Sequence, residues 1–142
     1  MYTRDLLTAQ IETFSKLLAA LILKRKGQQY DQLEEDLLAL IKHHLGVQTY
    51  EVLAMDEEEF KQVVLAADTL SPEKKKLLGW ALQEHCELLL ALDNTQLAKN
   101  SCFKAFVIYR YLLDEQNGII YDLDLKFRFN SLKSLLEGLE NG

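Results

Sequence analysis

Residues 83–87 read Gln-Glu-His-Cys-Glu. A thiol beside an imidazole, with carboxylates on either side, is the material of a cysteine nucleophile or of half a zinc site. A second cysteine, Cys102, and the pair His43-His44 widen the set. Either chemistry needs its groups to converge on one atom. On a helix, consecutive side chains point about 100° apart, so Glu84, His85 and Cys86 diverge. Cys86 joins Leu78, Leu82 and Leu89 on the main apolar face, and His85 falls at its margin. Glu84 and Glu87 share the opposite, polar face with Trp80 and Gln83.

Cys86 and Cys102 stand at nearly mirror distances from Asn94, so an antiparallel helix pair would bring them to similar height. Packed helix axes are about 8–10 Å apart, whereas a disulfide needs Cα atoms within about 7 Å. Two small core residues is the ordinary reading; a redox pair or half a zinc site is the sharper one. His44 falls on an apolar face with Leu33, Leu37 and Leu40, and His43 beside Asp36, both in a last helical turn that favours them through the dipole. The sequence carries no glycine-rich phosphate loop and no nucleophile elbow. Its carboxylates are expected outside the apolar stripes, where desolvation cannot tune them for acid–base work. These residues predict no catalytic site, no metal and no cofactor.

The elements that would position them follow from apolar periodicity. A first helix is predicted from about Arg4 to Lys26. Its apolar arc (Leu6, Leu7, Ile11, Phe14, Leu17, Leu18, Leu21, Ile22) spans about 160°, more than a surface helix requires. Gly27 ends it. A second helix is predicted from Gln28 to Leu45, capped by Gly46 with Val47 as the accompanying apolar contact. After a turn around Tyr50–Ala54, Asp56 and Glu59 have capping-box spacing for a helix to about Ala67. Ser71-Pro72 starts the helix that holds residues 83–87 and runs to Leu92. The next runs from Thr95 to Gln116 and is closed by Asn117-Gly118. The stretch 121–129 alternates as a strand would, but the stripe Tyr121, Leu125, Phe129, Leu132, Leu136 and Leu139 continues well past it, which favours a helix. The expected fold is all-α, five or six helices in antiparallel hairpins, one domain over residues 1–142.

Composition narrows the classes. With 49% hydrophobic residues, a chain of 142 can bury a core. A net charge of −6 is the wrong sign for a nucleic-acid binder. Two cysteines without a leader segment suggest a cytoplasmic setting. The longest apolar run, Leu17–Leu23, is far short of the roughly 20 residues a spanning helix needs.

Residues 77–94 with 97–113 resemble a tetratricopeptide-type helix pair. Leu78-Gly79 with Leu82 match the first-helix signature, and Ala98, Cys102 and Ala105 the small–bulky–small spacing of the second. The pair departs from the pattern in its long first helix, in a cysteine at the usual aromatic position and in the missing closing proline. No 34-residue period accompanies it. The opening, with Asp5, Gln10-Ile11-Glu12 and Leu18-Ala19, is similar to a family of small bacterial helical proteins. That similarity implies a tetratricopeptide-like fold and no particular activity.

Two features exceed the needs of a core. The Thr95–Gln116 helix has a second stripe, Phe103, Val107 and Tyr111, flanked by Lys99, Asn100, Lys104 and Arg110. It is expected to lie under residues 121–140, or else to form a basic-rimmed groove for a peptide. Trp80 stands on a polar face beside Lys76, Glu84 and Glu87, to be covered by the 49–67 segment or left as an interface anchor. Trp80, Gln83, Glu84, Glu87, Phe103, Val107, Arg110 and Tyr111 are the candidate partner contacts. The leading expectation is a noncatalytic interaction or scaffold module for a protein or peptide, compatible with self-association. The runner-up is a peripheral membrane protein whose first helix uses its apolar arc and Lys24-Arg25-Lys26, though Asp5 and Glu12 would meet the same lipid. A metal- or thiol-dependent enzyme ranks third.

Overall fold

A computed structural model describes residues 2–115 and 122–141, and all regular structure among them is helical. The order is α1 (Tyr2–Lys26), α2 (Leu33–Leu45), α3 (Thr49–Ala54), α4 (Glu57–Phe60), α5 (Pro72–Ala91), α6 (Thr95–Glu115) and α7 (Leu123–Asn141). A π-helical turn, Lys61–Leu65, continues α4. Among the described residues seven α-helices therefore stand where five or six were expected, because the anticipated turn at Tyr50–Ala54 is part of a helix of its own. The expected stops at Gln116 and Asn117-Gly118, and Tyr121, lie outside the described residues.

Most boundaries are set by local chemistry. Asp56 accepts the Glu59 N–H at 2.8 Å, and Ser71 accepts the Lys74 N–H at 3.2 Å ahead of Pro72. Gly46 closes α2 at φ 68°, its N–H on the Lys42 carbonyl. Other boundaries depart from expectation. Gln28 and Gln32 both take left-handed φ (61° and 60°), which holds residues 28–32 out of the helix and starts α2 at Leu33. The helix after Asp56 widens at Lys61, whose carbonyl accepts from the Ala66 N–H five residues on. That widening lets Phe60, Val64 and Leu65 all bury.

α5 and α6 form the most extensive pair and run antiparallel. Gly79 lies against Tyr109, and His85 bonds Ser101. Cys86 meets Cys102. The residue numbers in these contacts add to nearly the same value, as an antiparallel register demands. α7 then packs back along α6, with Phe129 stacked on Phe106 at 5.0 Å. Leu125, Leu132 and Leu136 bury, while Leu123 and Phe127 of the alternating stretch point outward. The helical reading of that stretch holds, and α6 is the central helix. Its stripe is covered from two sides. Val107 is fully buried and Lys104 lies over the Phe60 ring. Asn100 donates to the Leu53 carbonyl, and Arg110 pairs with Glu57 at 2.8 Å. The α3–α4 segment, and not α7 alone, closes this face.

α1 packs on α2 and α5. Phe14 and Leu18 are buried and Ile11, Leu21 and Ile22 partly so, but Leu6 and Leu17 remain exposed. The arc read from the sequence is wider than the face α1 buries. By length and composition residues Asp5–Lys26 could cross a membrane, which corrects the expectation drawn from the unbroken apolar run Leu17–Leu23 alone.

Candidate functional site

Residues 83–87 disperse as the helix geometry requires, yet two of them are more deeply placed than their polar neighbourhood suggested. Glu84 is 5% exposed. α1 crosses the face assigned to solvent and sets Arg25 in an ion pair with Glu84. Burial raises the Glu84 carboxyl above its ordinary range, and the Arg25 bond only partly offsets this. Desolvation opposes the charge on Arg25, but the bond to Glu84 and the negative charges of Glu84 and Glu87 together outweigh it and raise the guanidinium further. The expectation that no carboxylate lies deep is therefore corrected.

His85 is fully buried, not marginal. Its Nε2 is 2.9 Å from Glu34 Oε2 and its Nδ1 is 2.8 Å from Ser101 Oγ. The same Glu34 oxygen accepts from the Tyr50 hydroxyl, and the Tyr50 ring meets His85 edge-on at 6.0 Å. An ionised Glu34 only accepts, which assigns the proton to Nε2 and leaves Nδ1 to accept from Ser101. Burial holds the imidazole below its usual pKa, against the pull of Glu34. Desolvation of Glu34 is outweighed by its bonds from Tyr50 and His85, so its carboxyl is lowered. Burial and Glu34 push the Tyr50 phenol to about 12.

Serine, histidine and glutamate in that order have the connectivity of a hydrolase triad. Such a triad acts only if the hydroxyl can reach a carbonyl carbon, and Ser101 is 0% exposed between α5 and α6. The chain of bonds ties α2, α3, α5 and α6 together. Glu34 and Ser101 were missed in the sequence. The mirror argument applied to the cysteines would have found Ser101, since His85 and Ser101 are centred on Asp93, one position from the cysteines' own midpoint at Asn94. Glu34 carried no comparable signal.

Cys86 and Cys102 are both free and fully buried, and the neighbouring Cys102 thiol, with burial, pushes the Cys86 thiol well up. A raised thiol is a poor nucleophile. His44, on α2, lies edge-on to Phe14 at 6.0 Å and beside His43 at 4.9 Å. Among the described residues no three of His, Cys, Asp and Glu gather to hold a metal ion.

The remaining candidates separate. Gln83 accepts from the Tyr109 hydroxyl at 3.4 Å, and Glu87 is half-buried beside Arg25. Tyr111 is half-buried under Lys75, whose Nζ stands 5.6 Å from the ring centre. Phe103 is half-buried and, with Leu136, lines an open depression of about 520 Å³ at the α5–α6 turn. Trp80 alone opens onto a deeper space. It lies between α1, α5 and α7, not under residues 49–67, in a cleft of about 470 Å³.

Helical spacing builds this cleft. Glu73, Lys76, Leu77 and Trp80 share one face of α5, at i, i+3, i+4 and i+7. Ile11 and Ser15 of α1 form one wall; Leu112, Leu125 and Arg128 complete the other side. The Arg128 guanidinium lies over the Trp80 ring, 4.5 Å from its centre, and Asp124 accepts from Arg128 Nε at 3.0 Å. Lys76 bridges Asp122 at 2.9 Å and Asp124 at 3.1 Å. Asp122 also caps α7 through the Leu125 N–H. Partial burial raises both aspartates, but the bonds from Lys76 and Arg128 win and lower them. An apolar floor with a charged, hydrogen-bonded rim is the usual make-up of a binding site.

Known protein families, curated proteins and solved structures give no match. Of the chain's own features, the Trp80 cleft combines access, apolar area and ordered polar groups.

Proposed function

We propose that the protein is a noncatalytic interaction module, built from tetratricopeptide-like helical hairpins, that holds a partner polypeptide in the Trp80 cleft. The observation that carries this is a half-buried tryptophan facing about 470 Å³ of space with an arginine across its ring. Tryptophan and arginine are the residues that most often anchor interfaces, and they do so from partly enclosed pockets. The hairpin reading is supported by Gly79, which brings α5 close to α6, and by small Ala98, Cys102 and Ala105 in the joint. The candidate catalytic groups instead face each other in the interior.

Site-specific photo-crosslinking in the source cells tests the proposal. A photoreactive residue at Ser15, on the cleft wall, is expected to give a discrete adduct that Trp80→Ala abolishes. The same residue at Val63, exposed on the π-helical turn, should not give it. Identical adducts from both positions, or adducts indifferent to Trp80→Ala in a folded variant, would remove the cleft as the contact surface.

A further inference from the structure

We propose that the Trp80 cleft recognises an arginine side chain of the partner polypeptide, and that Arg128 occupies that arginine's place in the free protein. The inference rests on the cleft being a partner site. Arg128 already displays the recognition geometry: a guanidinium 4.5 Å above the indole, with its Nε on Asp124. Trp is the strongest of the cation–π partners. The ion pair that holds the placeholder is exchangeable. Arg128 and Asp124 are an i,i+4 pair on α7 with side chains 26% and 54% exposed, a class of contact that contributes little and exchanges readily.

Charge selects a cation over an anion. Among the described residues, the charged groups that line the cleft are Lys76 and Arg128 with Glu73, Asp122 and Asp124. When Arg128 swings into solvent, one cation remains against three carboxylates. An anionic ligand would have to break the Lys76 bonds to Asp122 and Asp124 and then meet all three carboxylates. Arginine fits better than lysine because its planar fork can stack on the indole while donating to a carboxylate, where an ammonium acts as a point charge. Leu77, Leu112, Leu125 and Ile11 line the space below, suited to the arginine's methylene stem and to an adjacent apolar residue.

Trp80 is the sole tryptophan, so intrinsic fluorescence of the intact chain reports on the cleft directly. The probes are the end-blocked peptide Gly-Leu-Arg-Leu-Gly and two counterparts, with citrulline or glutamate in place of arginine. The arginine peptide should shift Trp80 emission saturably, with both counterparts at least about tenfold weaker. Arg128→Gln, which keeps the stem but not the charge, should tighten the arginine peptide about three- to tenfold by removing the internal competitor. Asp124→Asn should weaken it about tenfold, with circular dichroism confirming that each variant is folded. Equal binding of the citrulline peptide overturns the arginine specificity while leaving the cleft a partner site, which the crosslinking tests separately. Unchanged or weaker binding by Arg128→Gln, or no saturable response to any peptide, overturns the proposal.

Discussion

His85 takes up a proton more easily in the unfolded chain than in the fold, because burial holds its pKa below the ordinary 6.5. Between about pH 6.5 and that depressed value the unfolded state binds more protons, so stability falls as pH falls. Glu34, also lowered, loses its contribution in the same direction at more acid pH. His44 slopes the same way, its pKa lowered by burial and by His43, and serves as the comparison. The urea midpoint should decline as pH falls from 7.5 to 5. His85→Gln should remove most of that decline, and His44→Gln a smaller part. An acid slope untouched by His85→Gln would show that the imidazole is not what senses the proton. The reading of His85 from sequence was half right for a physical reason. The 100° step correctly separated it from Glu84 and Cys86, but that step says nothing about Glu34, 51 residues away, whose partnership only the packing of α2 on α5 creates.

Gly79 shows the same limit at the scale of helices. A glycine inside a helix normally costs about 1 kcal/mol against alanine, so Gly79→Ala should stabilise an isolated α5. In the fold, a Cβ at position 79 would stand 2.6 Å from Tyr109 Cε1. Tyr109 is fully buried, with Gln83 on its hydroxyl, so its ring has little room to retreat. Overpacking should win. Gly79→Ala is expected to lower stability by about 1–3 kcal/mol in denaturant melts, and Gly79→Ala/Tyr109→Leu should recover part of it through the relieved contact. An alanine variant as stable as the parent would mean that α5 and α6 can separate without loss. Helix ends written in local chemistry were legible: Asp56, Ser71-Pro72 and Gly46 each act where the sequence places them. Those set by tertiary demand were not. Nothing in Gln28–Gln32 forbids a helix, and nothing in Thr49–Ala54 announces one; the chain reversal between α1 and α2 and the cover over α6 decide both.

Across the whole molecule, α1 is held at two places by different physics, by Phe14 and Leu18 in the core and by Arg25 on Glu84. Its outer side, with Leu6, Leu17 and Leu23 exposed, adds nothing to that attachment, which raises the weight on the Arg25 contact. The sequence showed Arg25 only as one of three consecutive basic residues beside a helix end. The fold selects it from that run because α1 crosses α5 where Glu84 is buried. Removing the guanidinium while keeping an apolar stem, as in Arg25→Met, leaves a buried carboxylate without its partner, for which roughly 3 kcal/mol is the usual loss. The loss has a pH signature. Glu84 is already raised by burial, and without Arg25 it rises further, so the folded variant takes up a proton that the unfolded chain releases. Its stability relative to the parent is then restored as pH falls toward the ordinary carboxylate range and is lost as pH rises through the raised value. The difference in unfolding free energy between Arg25→Met and the parent should therefore be large at pH 7.5 and shrink by more than half at pH 4.5. Contributions from His85 and Glu34, common to both proteins, cancel in that difference. Equal differences at the two pH values would mean that Arg25 contributes packing alone, and that α1 is docked by Phe14 and Leu18 without electrostatic help.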